Sequence, residues 1–309
     1  MATNHGGARN TFQSVDPDSR HCPAVLALLL LAALVTAGPP WRRALGLALA
    51  CLLLVGSLWL PGSPLFRGVI ALLAFWGAAR VLDLARDPRP YTAGERLAFV
   101  LAVIDTRTLV WRAPRVDVAA LAKAAVWIPI GLLAITTAAQ LHDSGPLRWV
   151  LGVLTIYALG EALEGLLRGI LGLLGATSPP LHRTPIAARS LREFWGERWN
   201  LVVNRWLRVH CYLPLARRHQ PALGLALAFL ASAAIHAWFI GVALGPTMAA
   251  RMGLYFVIQG VLLALEGPLG VTRWPAPAGR AWMLACTLLP SPLFVEPILR
   301  LFARPLLLV

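Results

Sequence analysis

Long apolar runs broken by short stretches of arginine, proline and glycine set the pattern of this chain. A helix rises 1.5 Å per residue, so about 20 apolar residues (range about 17 to 25) cross the hydrocarbon core of a bilayer. By that measure the candidate spans are Pro23–Ala37 (short), Ala44–Leu60, Pro64–Leu82, Val116–Leu141, Leu147–Leu174, Ala222–Leu244, Met252–Leu265 (short) and Ala281–Leu301. The pattern predicts an all-α, polytopic transmembrane helical bundle of about eight spans. Pro290 and Pro292 should bend the last span. Leu97–Ile104 is apolar but too short to cross, which predicts an interfacial or re-entrant piece. Residues 1–22 are polar and read as a flexible N-terminal tail, leaving 23–309 as a single integral-membrane domain.

Composition narrows the class. Of 309 residues, 58% are hydrophobic and 14% charged, and mean hydropathy is +0.68. Soluble domains run nearer a quarter charged. A disordered chain, a fibrous repeat and an ordinary cytosolic domain are excluded. The net charge of +14 fits anionic lipid or an anionic substrate, and the apolar content speaks against nucleic acid. Cys22, Cys51, Cys211 and Cys286 form no C-x-x-C pair, and His210, Cys211 and His219 lack a fourth ligand, so no metal site is predicted. The basic residues cluster in the loops 83–115 and 175–221, which should face the cytoplasm, with both termini on the opposite side. The expected location is a multi-pass membrane protein, in the inner (cell) membrane if the cell is bacterial.

The segment 183–219 holds eight arginines against Glu193 and Glu197. Ser190 and Glu193 have the spacing of a capping box, so a helix should begin at Leu191. Leu191, Phe194, Trp195, Trp199, Val202 and Trp206 then fall on one face, which predicts an amphipathic helix lying in the membrane interface. On that ideal helix Asn200 points about 140° away from Trp195.

Polar residues inside spans are costly and mark candidate chemistry. His236, in F-L-A-S-A-A-I-H, fits a general base, since imidazole titrates near neutrality. Glu161, Glu164 and Arg168 share one helix face and should pair with one another. Asp83 between Arg80 and Arg86 reads as a solvated pair, whereas Gln259 and Glu266 have no evident role. Phosphate-loop, dinucleotide and G-x-S-x-G motifs are missing from suitable contexts.

From Ser190 to Asn200 the chain reads S-L-R-E-F-W-G-E-R-W-N. This resembles the signature of the wax synthase family, long-chain-alcohol O-fatty-acyltransferases of the membrane-bound O-acyltransferase superfamily. F-L-A-S-A-A-I-H is similar to that family's second element, a serine followed after a few small residues by the active-site histidine. The resemblance covers about 27 residues around the first motif and about a dozen around the second. It implies that His236 is the membrane-embedded catalytic histidine and Asn200 the asparagine of the W-N element. Trp195, Trp199, Arg198, Asn204 and Arg205 are the candidate substrate contacts, the arginines of the segment being suited to the phosphates of coenzyme A. One departure is Ala237, directly after the histidine, where the plant enzymes commonly carry Glu.

The implied reaction moves a fatty acyl group from acyl-CoA to the hydroxyl of an alcohol, with no resident cofactor. His236 would take the alcohol proton and Asn200 would donate to the oxyanion, which requires both side chains to meet in one passage. The alternative is a transporter or flippase of a lipid-like solute, using Glu161, Glu164, Arg168 and His236 as a relay.

Overall fold

A computed structural model describes residues 18–102, 104–141 and 145–306. Most of the polar N-terminal stretch, residues 1–17, lies outside the described residues. Helix α1 (Asp18–Val35) starts within the stretch read as a tail. It is followed by α2 (Pro40–Gly56), α3 (Pro64–Arg86), the short α4 (Ala93–Leu101), α5 (Val118–Gln140) and α6 (Pro146–Leu173). A loop region with the short helices α7 (Leu191–Glu193), α8 (Leu201–Leu207) and α9 (Leu213–Ala216) leads to α10 (Pro221–Leu244), α11 (Pro246–Leu269), α12 (Ala276–Leu288) and α13 (Pro292–Leu306). The bundle is all-α, as its hydropathy pattern predicts.

Six of these helices are long and apolar enough to cross a membrane, and the α12–α13 pair, bent by 51°, makes a seventh as one broken span. Eight were expected. The difference is α1, whose apolar part, Val25–Val35, rises about 16 Å against a core of about 30 Å. The bend falls at Leu289–Ser291, where Pro290 and Pro292 each remove a backbone donor. The Leu97–Ile104 run falls largely in α4, nine residues long, which is too short to cross. Thr92 and Glu95 close a reciprocal capping box at its start, and Phe99 and Val100 bury into the α1–α3 core.

Sequence chemistry sets most helix starts. Proline occupies the first turn of α2, α3, α6, α10 and α11, where its missing N–H costs nothing. Ser63 and Asp117 cap α3 and α5 by accepting from Phe66 and Ala120 N–H. The α5–α6 pair packs very closely, because a side chain at Gly165 would meet the Ala120 carbonyl. The α10–α11 hairpin turns at Gly245 with φ 86 and packs on α3 and α13.

Both long basic loops gather at one end of the bundle. Strand β1 (Val110–Trp111) pairs antiparallel with β2 (Ala176–Thr177), joining the loop after α4 to the loop after α6. Asp83 pairs with Arg80 at 3.7 Å, but that pair is buried and not solvated, and Arg86 turns elsewhere. Asp83 also accepts from His210 Nε2 at 2.7 Å and sits 3.5 Å from Arg107. Arg86 instead donates to His210 Nδ1 at 2.9 Å. A neutral imidazole thus bridges the end of α3 to the segment after α8.

The intramembrane charges also find different partners from those expected. Glu161 pairs with Lys123 of α5, Glu164 accepts the His182 backbone N–H at 2.7 Å, and Arg168 reaches Asp117 at 3.0 Å. Each of these three charges is met from outside α6, two by α5 and its N-cap and one by the loop at His182, so none needs its own helix-mate.

Candidate active site

The expected continuous surface helix from 191 to 210 does not form. Ser190 Oγ accepts from Glu193 N–H at 3.0 Å, so α7 does start at Leu191. Glu193 reaches back to Arg189 N–H rather than to Ser190, giving half of a capping box. A second support lies beneath. The buried Glu266 carboxylate of α11 accepts from Leu191 N–H, Arg192 N–H and the Trp282 indole. Residues 194–198 widen into a π-helical turn, with Trp199 N–H bonded to Phe194 O. The helix then stops. Trp199 is extended and Asn200 left-handed, at φ 42 and ψ 59, before α8 begins.

This break decides where the aromatic residues go. Trp195 points into the bundle. Its indole N–H donates to the fully buried Gln259 at 3.1 Å, and its ring packs on Phe229 and Phe256. Gln259 passes the chain on to Cys286 O at 2.8 Å. Trp199 stacks on Phe194, with centroids 5.8 Å apart, and against His182 at 4.7 Å.

A cavity of about 1370 Å³ runs through the bundle beside these residues. Its wall includes Trp195, Trp199, Asn200, Asn204, Ser232 and His236. It reaches Arg208 and Tyr212 near the start of α10, and Trp149 near the start of α6, so it passes most of the way through the helix layer. At the α12–α13 bend the wall includes Leu289, which is 80% exposed on the outer surface.

The two central side chains are oriented by bonds whose direction is unambiguous. His236 Nδ1 lies 2.7 Å from Ser232 O, one turn back in α10. A carbonyl can only accept, so Nδ1 carries the hydrogen and Nε2 of the neutral ring keeps its lone pair. The imidazole stacks on Phe256 at 3.9 Å. Asn200 Oδ1 accepts from Val203 N–H at 3.4 Å as the cap of α8. With the oxygen so used, the amide hydrogens on Nδ2 are the donors left over. One wall of the cavity therefore offers a base and another an N–H donor.

The remaining expected site residues divide. Asn204 lines the cavity while its Nδ2 donates to Trp195 O at 2.6 Å, holding the π-helical turn. Arg198 is absent from the wall. It pairs with Glu193 at 2.6 Å and donates to the carbonyls of Arg183 and Thr184. Arg205 faces a separate small pocket of about 100 Å³ with Trp206 and His210, on the other side of α8. The arginines on the main cavity wall are Arg192 and Arg208, both exposed. Phe256 escaped the sequence reading, and Gln259 and Glu266 could be given no role there, since a buried residue on α11 gains meaning only from what packs on it.

Residues 178–259 match the model of the membrane bound O-acyl transferase family. Over this segment the chain is similar to that family. The match includes both Asn200 and His236, and Phe256 and Gln259 besides. Among similar proteins, a probable long-chain-alcohol O-fatty-acyltransferase 2 of Arabidopsis thaliana is 34% identical over 163 residues, which is 47% of this chain and 46% of that one. The probable long-chain-alcohol O-fatty-acyltransferase 7 of the same plant is 32% identical over 145 residues, 42% of each chain. A long-chain-alcohol O-fatty-acyltransferase of Simmondsia chinensis is 32% identical over 101 residues, 30% of this chain and 29% of its own length. The chain thus spans less than half the length of the curated relatives it matches. Over the matched segment the resemblance to the wax synthase family therefore holds, on a bundle of helices long and apolar enough to cross a membrane several times.

Proposed function

We propose that this protein is a membrane O-acyltransferase that moves a fatty acyl group from acyl-CoA to the hydroxyl of a long-chain alcohol. The observation that carries the reading is the shared cavity: His236, with Nε2 unprotonated, and Asn200, whose amide hydrogens meet no acceptor among the described residues, line the same space. At about 1370 Å³ the space exceeds the roughly 300–1,000 Å³ of a site for one drug-sized ligand, which suits two long chains meeting end to end.

In the proposed step the alcohol oxygen attacks the thioester carbonyl as its proton passes to His236 Nε2. The C–O bond forms, and the carbonyl oxygen becomes an oxyanion that the Asn200 amide holds. Collapse breaks the C–S bond, and the departing sulfur takes the proton from the imidazolium. The protein ends as it began, and no acyl-enzyme forms. General base catalysis contributes about 10²–10⁴ in rate and one oxyanion donor about 10²–10³. Arg192 and Arg208, exposed on the cavity wall, suit the phosphates of coenzyme A. The transporter alternative loses support, because Glu161, Glu164 and Arg168 are tied to three separate partners instead of forming a relay.

The test is thiol release by the purified, reconstituted protein given acyl-CoA and a long-chain alcohol, with the ester identified by mass spectrometry. His236→Ala should lower the rate at least about 100-fold and Asn200→Ala to a similar extent, both variants remaining folded. An unchanged rate in folded His236→Ala removes this mechanism.

A further inference from the structure

We propose that His182 is a positioning residue for Asn200: its imidazole accepts the Asn200 backbone N–H and so holds the carboxamide at the cavity wall. This rests on the acyl-transfer reading above. Asn200 Nδ2 can serve an oxyanion only if the backbone keeps its left-handed turn, and such a conformation persists when neighbours over-determine it. Asn200 is one of three non-glycine residues with positive φ among the described residues.

The neighbours are the residues around His182. Asn200 N–H donates to His182 Nδ1 at 3.0 Å. On either side, Leu201 N–H donates to Leu181 O and Arg183 N–H donates to Arg198 O, both at 2.9 Å. The segment 181–183 therefore clamps the break in the helix like a short strand. The clamp is itself anchored, since His182 N–H donates to the buried Glu164 carboxylate on α6 at 2.7 Å. The ring is held in plane by Trp199 and by Gly160, where an added Cβ would lie 3.1 Å from Nε2. An N–H can only donate, so Nδ1 is the bare nitrogen and the ring is neutral, with its hydrogen on Nε2. Burial pushes the imidazole down to about 4, which keeps that acceptor available near neutrality. His182 is not part of the cavity wall, so it reaches the chemistry through Asn200.

The full-length protein, reconstituted in vesicles, is compared as wild type, His182→Leu, His182→Asn, Asn200→Ala and the His182→Leu/Asn200→Ala double variant. Thiol release gives kcat and KM for acyl-CoA. His182→Leu should lower kcat about 10- to 100-fold with KM within about threefold. His182→Asn, whose Oδ1 can take the place of Nδ1, should recover kcat to within about fivefold. The double variant should be no slower than Asn200→Ala alone. A wild-type kcat in His182→Leu, or losses that multiply in the double variant, overturns the proposal while leaving the reaction intact. A folded His182→Asn more than tenfold slow overturns it too, and this holds even if the leucine variant fails to fold. A full rate in Asn200→Ala sinks the role of Asn200 itself. Amide hydrogen exchange over 199–204 needs no turnover: exchange should quicken in His182→Leu and stay slow in His182→Asn, and equal protection in all three forms refutes the clamp.

Discussion

The Phe256 ring lies face to face with the His236 imidazole at 3.9 Å, and Trp195 is among its further aromatic neighbours, 5.9 Å away. Phe256 thus links Trp195 of the π-helical turn to the histidine of α10. It also fixes the plane of the imidazole, while Ser232 O fixes its tautomer. Phe256→Leu keeps most of the buried volume but removes the flat partner. The expected outcome is a loss of about tenfold in kcat, with little change in KM, in a protein of normal elution volume. A kcat within twofold of wild type would show that the stack does not orient the base.

Arg192 and Arg208 replace Arg198 and Arg205 as the arginines on the cavity wall. Arg192→Gln/Arg208→Gln should raise KM for acyl-CoA about tenfold and leave kcat near wild type, because phosphate contacts far from the thioester bind ground state and transition state alike. The wild-type KM should climb with added salt, and less so in the double variant. Arg198→Gln, by contrast, should act on stability, through Glu193 and the carbonyls of Arg183 and Thr184.

Glu266 holds three donors, two from the first residues of α7 and one from Trp282. A carboxylate at a helix start is favourable, and a buried donor left without an acceptor costs about 1–3 kcal/mol. Glu266→Leu should therefore lose more than about 2 kcal/mol, seen as a lower Tm in detergent. Glu266→Gln, which keeps one accepting oxygen, should lose less. Equal Tm values for the two variants would contradict this account.

His182 gives the fold a pH dependence. Its folded-state pKa of about 4 lies below the ordinary 6.5, chiefly through burial. Lys123 pushes the same way, while Glu161 opposes it. The Glu164 carboxylate contacts its backbone N–H. Between those two values the unfolded chain binds the proton and the folded chain does not, so stability falls as pH drops from 6.5 towards 4. Melting in nanodiscs at pH 7, 5.5 and 4.5 should show this fall. His182→Asn should show a shallower one, and identical slopes would exclude His182 as a source.

The apolar runs alone determined that the chain is a helical membrane bundle, because the length and composition of a span are local properties. Ser190 likewise fixed the start of α7, and the W-N and histidine motifs marked Asn200 and His236. Tertiary structure decided the rest. The helix of 191–210 was expected to run on because its periodicity is intact, yet it breaks at Asn200, where residues 181–183 supply bonds from 18 positions upstream. Trp195 turns inward because Gln259, 64 positions away, offers its indole an acceptor. The charges of α6 choose Lys123, Asp117 and the backbone of His182 over one another. In each case a buried polar group took whichever partner the packing brought within about 3 Å, and a sequence carries no record of which distant segment that is.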